Sequence, residues 1–186
     1  MDTSFNIARI VTCTRCEGPG KRLAIWFQGC RENCLDCCNP GLKPLVAKNI
    51  ISLEKLAKII KNSKENHDIE GVTYLGGEPT LQHYLPFLSK VIHEMGLGII
   101  AFTGRNFEEV KECLQYCDMV IDGPYIPSLH SRKRRIIGSD NQRIILLTAR
   151  YGPELKWFED EDSIIGEFHL REIESTSTVY NGSATF

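Results

Sequence analysis

Long apolar runs and an excess of one charge are both missing from this sequence. No stretch approaches the ~20 apolar residues of a membrane-spanning helix, and the amino terminus has no basic region leading into an apolar run and a cleavage site. The 22 basic and 24 acidic residues give a net charge of −2, so composition favours neither nucleic acid nor an anionic membrane as a partner. We expect a cytoplasmic protein with residues 1–186 forming a single domain.

Cysteines are too few for a disulfide scaffold. The chain has 8 cysteines in 186 residues, which is below the roughly 8–10% of disulfide-rich proteins. A chain of this length also buries enough surface to fold without stabilising disulfide bonds. Their placement is uneven, because six lie between Cys13 and Cys38. Clustered cysteines in a reducing compartment indicate metal or redox chemistry.

The predicted elements alternate between strands and helices from Leu23 onward. Helices are predicted at 53–60 after a Ser52 cap, at 81–95 and at 106–117. This alternation predicts an α/β fold with a mostly parallel sheet. Residues 126–186 are less regular, with candidate antiparallel edge strands at 144–147, 167–170 and 176–180.

Each predicted strand ends in a polar or glycine-rich segment. In α/β folds the carboxyl ends of the strands line the active site, so we expect these segments on one rim. They are Gln28-Gly29-Cys30, Gly76-Gly77-Glu78, Thr103-Gly104-Arg105 and Asp122-Gly123-Pro124.

The cysteine loop directly follows an apolar strand. Cys30, Cys34 and Cys37 place three thiols within eight residues. Three ligands leave one metal position open, as a catalytic centre requires, whereas a structural zinc site or an ordinary ferredoxin cluster takes four. The residues leave two alternatives: a zinc knuckle built from the Cys13/Cys16 and Cys34/Cys37 pairs, or inert thiols.

Two motifs together carry a family resemblance. Gly29-Cys30-x3-Cys34-x2-Cys37, followed by Asn39 and by Gly76-Gly77-Glu78-Pro79, resembles the radical S-adenosylmethionine (SAM) superfamily. More narrowly, it resembles the small activating enzymes of anaerobic ribonucleotide reductase and pyruvate formate-lyase. The resemblance covers residues 5–148 and leaves 149–186 as a carboxyl-terminal extension. Further matching segments, in the same order, are 17–22, 102–105, 122–125 and 138–143.

The resemblance implies a partial (βα) barrel and a cluster enzyme. Cys30, Cys34 and Cys37 would hold a 4Fe-4S cluster whose open iron chelates SAM. Reductive cleavage of SAM would then give methionine and a 5′-deoxyadenosyl radical that abstracts hydrogen from the substrate. The implied partners are a glycyl-radical enzyme and an electron donor such as flavodoxin or ferredoxin.

The rim supplies candidate cofactor residues. Gly76 and Gly77 allow close backbone approach, their carbonyls or Glu78 are candidate acceptors for the cofactor ammonium, and Pro79 stiffens the turn. The same four residues also suit a plain strand-to-helix turn. Thr103, Gly104 and Asp122 are candidates for the cofactor ribose or carboxylate, with turn or capping roles as the alternative.

Other residues depart from the resembling pattern or lie outside it. Activating enzymes of the ribonucleotide reductase type usually carry Gly and Tyr where this chain has Asp36 and Cys38. Arg143 is a candidate to bind a carboxylate, and the basic run 131–135 is either a docking surface or a solvated loop. Cys113 and Cys117 suit core packing.

The leading hypothesis is an enzyme that generates a glycyl radical on a partner protein. One alternative is the same cofactor chemistry acting on a small molecule or a ribosomal peptide. The other is a zinc-binding interaction module without catalysis.

Overall fold

A computed structural model describes residues 3–159 of the chain. Within this range it contains seven strands and three α-helices. The strands are β1 (Ser4–Thr14), β2 (Arg22–Phe27), β3 (Asn49–Ser52), β4 (Gly71–Gly76), β5 (Gly98–Phe102), β6 (Met119–Asp122) and β7 (Arg143–Leu146). The helices are α1 (Leu53–His67), α2 (Leu85–Glu94) and α3 (Phe107–Leu114).

All seven strands of the described range join one sheet in the order β3-β1-β2-β4-β5-β6-β7. The central strands β2, β4, β5 and β6 are parallel neighbours. Antiparallel strands flank them: β1 pairs with β2 and β3, and β7 pairs with β6. The predicted α/β class is confirmed, and the four central parallel strands carry the strand ends of interest.

The helix boundaries differ from the predicted ones for local reasons. Ser52 caps α1 as predicted, since its hydroxyl accepts from the Lys55 amide. The second helix begins at Leu85 rather than Leu81, because Pro79–Leu81 form a separate 3-10 turn. The third begins after Asn106 as predicted but ends at Leu114.

Two apolar clusters cover the two faces of the sheet. On one face, alternate residues of the strands, such as Leu23 and Ile25, pack with Leu56 and Leu88 of the helices. On the other face, Ile100, Met119 and Ile121 pack with Ile137, Tyr151 and Phe158. Residues as late as 158 are therefore part of the core.

Arg22 closes the amino-terminal end of the parallel strands. Its guanidinium is fully buried and donates to the Thr73 hydroxyl at 2.6 Å, the Tyr151 hydroxyl at 2.8 Å and the Val72 carbonyl at 2.8 Å. Burial lowers the pKa of Arg22, although Tyr151 and Glu70 act in the opposite direction. These bonds compensate a buried cation that would otherwise be costly.

One of the three predicted edge strands lies within the described residues. The predicted strand at 144–147 is confirmed as β7, one residue earlier. The predicted strands at 167–170 and 176–180 lie outside the described residues. Strand β3 was missed, because the apolar run Ile50-Ile51 is short and leads directly into α1. Across residues 3–159, no helix is both long and apolar enough for a transmembrane span.

Candidate iron–sulfur and cofactor site

The four polar strand ends lie on one rim of the sheet, as the alternation predicts. The Gly77 amide donates to the Phe27 carbonyl at 2.9 Å, and the Glu78 amide donates to the Gly29 carbonyl at 2.8 Å. The Thr103 amide donates to the Ile121 carbonyl at 2.9 Å. These bonds join the end of β2 to that of β4 and the end of β5 to that of β6.

The cysteine loop is closed at its base by the segment that follows it. The Gly29 amide donates to the Leu42 carbonyl at 2.8 Å, and the Cys30 amide donates to the Lys43 carbonyl at 3.0 Å. Within the loop, Glu32 approaches the end of β5, with its carboxylate 4.0 Å from the Arg105 guanidinium. The loop therefore lies across the rim, from β2 towards β5.

Cys30, Cys34 and Cys37 are half-buried free thiols on this loop. The Glu32 amide donates to the Cys30 sulfur at 3.3 Å, a type of bond that tunes cluster sulfurs. Burial raises the pKa of the Cys30 thiol, and the charges of Glu78, Glu32 and Cys34 add to this effect. Binding to iron offsets the cost of burying a charged thiolate, because a thiolate bound to iron no longer carries an uncompensated charge.

The donor set fits a cluster with one open iron. Three thiols are available on one loop, and a backbone amide already points at one of the sulfurs. Within residues 3–159 the side chains of His, Cys, Asp and Glu form no group of three or more around a single ion. A cluster is held differently, since its thiolates bind separate irons.

Asp36 occupies a left-handed turn between the second and third cysteines. Its φ is +56°, a region that glycine adopts freely and that Asp visits at a lower cost than most residues. The resemblance implies glycine at this position, and Asp36 adopts a backbone conformation that glycine favours. Nothing in the structure assigns the exposed Asp36 side chain a contact.

Glu78 ties together the ends of β4 and β5. It is 1% exposed, and one carboxylate oxygen accepts from the Thr80 amide at 3.1 Å, the Thr80 hydroxyl at 2.8 Å and the Thr103 hydroxyl at 2.9 Å. Its other oxygen accepts from the Gly104 amide at 3.0 Å. Burial raises the pKa of Glu78 even though all four bonds favour the anion.

The two glycines of the turn are required by neighbouring backbone. Gly76 has a φ of +108°, and a Cβ there would lie 2.5 Å from the Phe27 nitrogen. A Cβ on Gly77 would lie 2.1 Å from the Gly29 carbonyl oxygen. The sequence suggests close approach to a cofactor as the reason for these glycines, whereas the structure adds a reason within the protein itself. Pro79, which follows, is buried.

Asp122 and Arg143 form a pair at the end of β6. Asp122 is fully buried and accepts from the Arg143 guanidinium at 3.0 and 2.5 Å and from the Phe107 amide at 2.8 Å. Burial raises the pKa of Asp122, but these bonds outweigh it and the net shift is downward. Arg143 also binds Glu108 at 2.9 Å, so the carboxylates it holds are the protein's own.

The remaining sequence candidates divide into core and surface residues. Cys117 is buried in the helix-side cluster as predicted, and Cys113 packs against it. Of the basic run, the Arg134 guanidinium donates to the Gln142 carbonyl at 2.6 Å, and Arg135 stacks 4.4 Å from the Trp157 ring. Arg132 and Lys133 are exposed. Exposed Cys13 and Cys16 lie at the far end of β1 and beyond it.

Sequence reasoning missed two contributors to the site. Thr80 supplies two of the four bonds to Glu78, and its place directly after the Gly-Gly-Glu-Pro turn is the signal that could have identified it. The backbone carbonyls of Leu42 and Lys43 close the cysteine loop. No pattern of side chains in the sequence predicts a backbone role of this kind.

Comparisons with known proteins identify the family of this chain. Residues 16–145 match the family described as 4Fe-4S single cluster domain. The chain is 29% identical over 147 residues to the anaerobic ribonucleoside-triphosphate reductase-activating protein of Enterobacteria phage T4, covering 75% of this chain and 93% of that protein. It is 30% identical over 148 residues to the protein of the same name from Pasteurella multocida, covering 70% and 90%.

A relative of a second kind is longer. The pyruvate formate-lyase-activating enzyme of Clostridium pasteurianum is 32% identical over 109 residues, which cover 56% of this chain and 46% of that enzyme. The chain thus spans nearly all of the ribonucleotide reductase-activating relatives and about half of the pyruvate formate-lyase-activating one. It belongs to the 4Fe-4S single cluster family of radical SAM enzymes, among the activating enzymes of glycyl-radical enzymes, and its cofactors are a 4Fe-4S cluster and SAM.

Proposed function

We propose that this protein installs a glycyl radical on a partner enzyme of the anaerobic ribonucleoside-triphosphate reductase type. One electron, one SAM and the partner's glycine C–H give methionine, 5′-deoxyadenosine and the glycyl radical. We assign the electron supply to a flavodoxin or ferredoxin. The reductase type is favoured over the pyruvate formate-lyase type because the chain covers 93% of one such activating relative and 46% of the other.

The observation that carries the proposal is the position of the cysteine loop over the glycine-rich rim. Cys30, Cys34 and Cys37 hold the cluster, with the Glu32 amide bonded to one sulfur. The rim formed by Gly76, Gly77 and Gly104 would hold the cofactor. A cluster with one open iron would supply the electron that cleaves SAM.

The buried acidic residues of the rim act by positioning. Glu78 is 1% exposed and Asp122 is fully buried, so each holds its strand end in place for the cofactor. Thr103 works with Glu78 through their 2.9 Å bond, and Pro79 fixes the turn that follows. In this assignment the contacts to the cofactor come mainly from backbone groups of the rim.

The partner approaches from the β6 side of the rim. Exposed Arg132 and Lys133 follow β6 in the chain and have no part in the packing that engages Arg134 and Arg135. We assign these two cations to binding of the partner enzyme. The reactive hydrogen-abstraction site needs protection from water, and a docked partner supplies it.

The test is a reconstitution under anaerobic conditions. The iron-loaded, dithionite-reduced protein is incubated with SAM and with the glycyl-radical ribonucleotide reductase encoded in the same genome. We expect a glycyl-radical signal by electron paramagnetic resonance and a matching amount of 5′-deoxyadenosine. Cys34→Ala should give neither product, and Cys13→Ala should give both.

Two outcomes would overturn the proposal. Zinc without iron in the native protein would support the interaction-module alternative. Efficient turnover of a free small molecule or a ribosomal peptide, with no radical on the reductase, would assign the same cofactor chemistry to a different substrate.

A further inference from the structure

Two stretches of the chain contain no acidic residue at all. All 24 Asp and Glu residues of the protein lie outside residues 3–16 and 37–53. These stretches contain four cations, Arg9, Arg15, Lys43 and Lys48. In a protein with a net charge of −2, these two stretches of sequence thus carry positive charge alone.

The fold brings residues 4–7 of the first stretch together with residues 49–52 of the second. Strands β1 and β3 pair in antiparallel register, with Asn6 opposite Ile50. The Asn6 side chain donates to the Val46 carbonyl at 2.8 Å and accepts from the Lys48 amide at 2.9 Å. Residues 44–50 are therefore fixed against β1, at the edge of the sheet.

This edge is apolar as well as cationic. Leu45, Val46 and Ile50 are 61%, 56% and 59% exposed, next to the exposed ammonium of Lys48. We call these four residues the acid-free edge. Neighbouring Ile51 packs against the helix-side core, so Ile50 faces away from the helices. A contiguous exposed apolar surface bordered by one charge sign is typical of a protein-docking site.

The acid-free edge lies close to the start of the cysteine loop. Residues 42 and 43 bond directly to Gly29 and Cys30, and Leu45 lies over Gly29, where an added Cβ would be 3.2 Å from the leucine side chain. A protein bound on this edge would lie close to the first cysteine of the motif.

In the order of the sheet, the acid-free edge and the candidate cofactor residues lie on opposite sides of β2. The cysteine loop leaves the end of β2. The cofactor residues lie on β4, β5 and β6 to one side of β2, and β1 and β3 lie on the other. A protein docked on the acid-free edge would reach the cysteine loop from the β1 side of β2, whereas the protein that gives up hydrogen would have to reach the ends of β4, β5 and β6.

We propose that the acid-free edge is the docking site of the electron donor, an acidic one-electron carrier protein. The donor loses one electron and the cluster gains it, with no bond made or broken between the two proteins. Opposite charge accelerates such an encounter and orients it, and the exposed leucine, valine and isoleucine supply the apolar contact. The inference rests on the proposed function, because only a cluster enzyme needs this electron.

The experiment compares two reductants on the iron-loaded protein. A reduced flavodoxin of acidic surface is the docking probe, and dithionite is the small reductant that needs no docking surface. Lys48→Glu is tested against Lys111→Glu, which makes the same charge change at an exposed lysine of α3. Rates of cluster reduction are followed by the loss of visible absorbance, and flavodoxin affinity is measured at low and high salt.

We expect Lys48→Glu to slow reduction by flavodoxin roughly fivefold at low salt and less at high salt, with dithionite reduction unchanged. Lys111→Glu should leave both rates unchanged. Val46→Ser should weaken flavodoxin binding to a similar extent at both salt concentrations, because it removes apolar contact rather than charge.

The outcomes separate this inference from the proposed function. Wild-type reduction by flavodoxin in both Lys48→Glu and Val46→Ser, in a protein that cleaves SAM with dithionite, overturns the docking site and leaves the function intact. Loss of radical transfer to the reductase in Lys48→Glu, with dithionite as the reductant, would assign the edge to the glycyl-radical partner instead. Absence of a reducible cluster in the wild type would overturn the function itself.

Discussion

The Thr103 hydroxyl donates to the carboxylate of Glu78 across two strand ends, at 2.9 Å, inside a rim where Glu78 has almost no contact with solvent. The same hydroxyl oxygen accepts from the Arg105 amide at 3.2 Å. Thr103 thus links the turn after β4 to the turn after β5, directly beneath the cysteine loop.

Thr103→Val should therefore weaken both turns. It keeps the shape of the side chain but leaves a buried carboxylate bond and a backbone amide bond unmade, which costs about 1–3 kcal/mol of unfolding free energy. Urea denaturation of the iron-free protein measures this loss. Thr103→Ser keeps the hydroxyl and should lie close to wild type. Equal stability of the Val and wild-type proteins would show that this link contributes nothing.

Alanine at each motif cysteine should remove the cluster. The reconstituted wild type should bind about four irons and equivalent sulfide, whereas Cys30→Ala, Cys34→Ala and Cys37→Ala should lose the brown absorbance and most of the iron. Cys13→Ala and Cys16→Ala change exposed thiols outside the three-cysteine motif and should retain it. Iron and sulfide analysis distinguishes these results, and full iron content in all three motif variants would rule out the ligand assignment.

Gly77→Ala should disrupt the rim although it adds a single methyl group. The Cβ would lie 2.1 Å from the Gly29 carbonyl oxygen, so the cysteine loop must move away from the turn. We expect a lower thermal midpoint and poor iron loading. Gly41→Ala is the matched control, because a Cβ there meets nothing within 4 Å. Normal iron content in Gly77→Ala would mean that this close contact is dispensable.

The left-handed turn at Asp36 predicts opposite effects for two substitutions. Glycine adopts a φ of +56° without a Cβ penalty, so Asp36→Gly should load iron at least as well as wild type. Asp36→Val puts a β-branched side chain in this region, where ordinary residues pay roughly 1–2 kcal/mol. Slower loading of the Val variant, followed by absorbance, is the expected result. Similar loading by both variants would show that the turn is not needed for the cluster.

The Asp122–Arg143 pair predicts a pH dependence of stability. Because the folded-state pKa of Asp122 lies below its ordinary value of 3.8, its contribution is fully present above that value and is lost as the pH falls through the folded-state pKa. The stability difference between wild type and Asp122→Asn should therefore be constant near neutral pH and shrink below pH 3.8. Denaturant titrations between pH 3 and 7 measure it, and a gap that widens on acidification would contradict the assignment.

The sequence was most informative where side-chain chemistry and spacing coincide. The three cysteines, the Gly-Gly-Glu-Pro turn and the strand–helix alternation placed the rim correctly, because parallel strands must present their carboxyl ends together. Helix ends were less accurate. Leu81 is apolar and suits the start of α2, but Pro79–Leu81 form a separate 3-10 turn in which Thr80 binds Glu78.

Pairing between distant residues was beyond sequence reasoning. Arg143 was expected to bind a ligand carboxylate or to be an exposed strand charge, and it binds Asp122 and Glu108. The pairing of β1 with β3 depends on which strand becomes the edge, a property of the assembled sheet. Only after that pairing do residues 4–7 and 49–52 form a common surface.

The buried Arg22–Tyr151 bond sets a lower limit on the length of chain that can fold. A protein truncated after residue 148, where the family resemblance ends, would lose the phenol that holds the guanidinium and the phenylalanine at 158 that covers Ile100 and Ile121. The remaining sheet would expose an apolar face, and the Arg22 guanidinium would lose one of its buried hydrogen-bond partners. The smallest protease-resistant fragment should therefore extend beyond Phe158, past the boundary of the cluster-binding family.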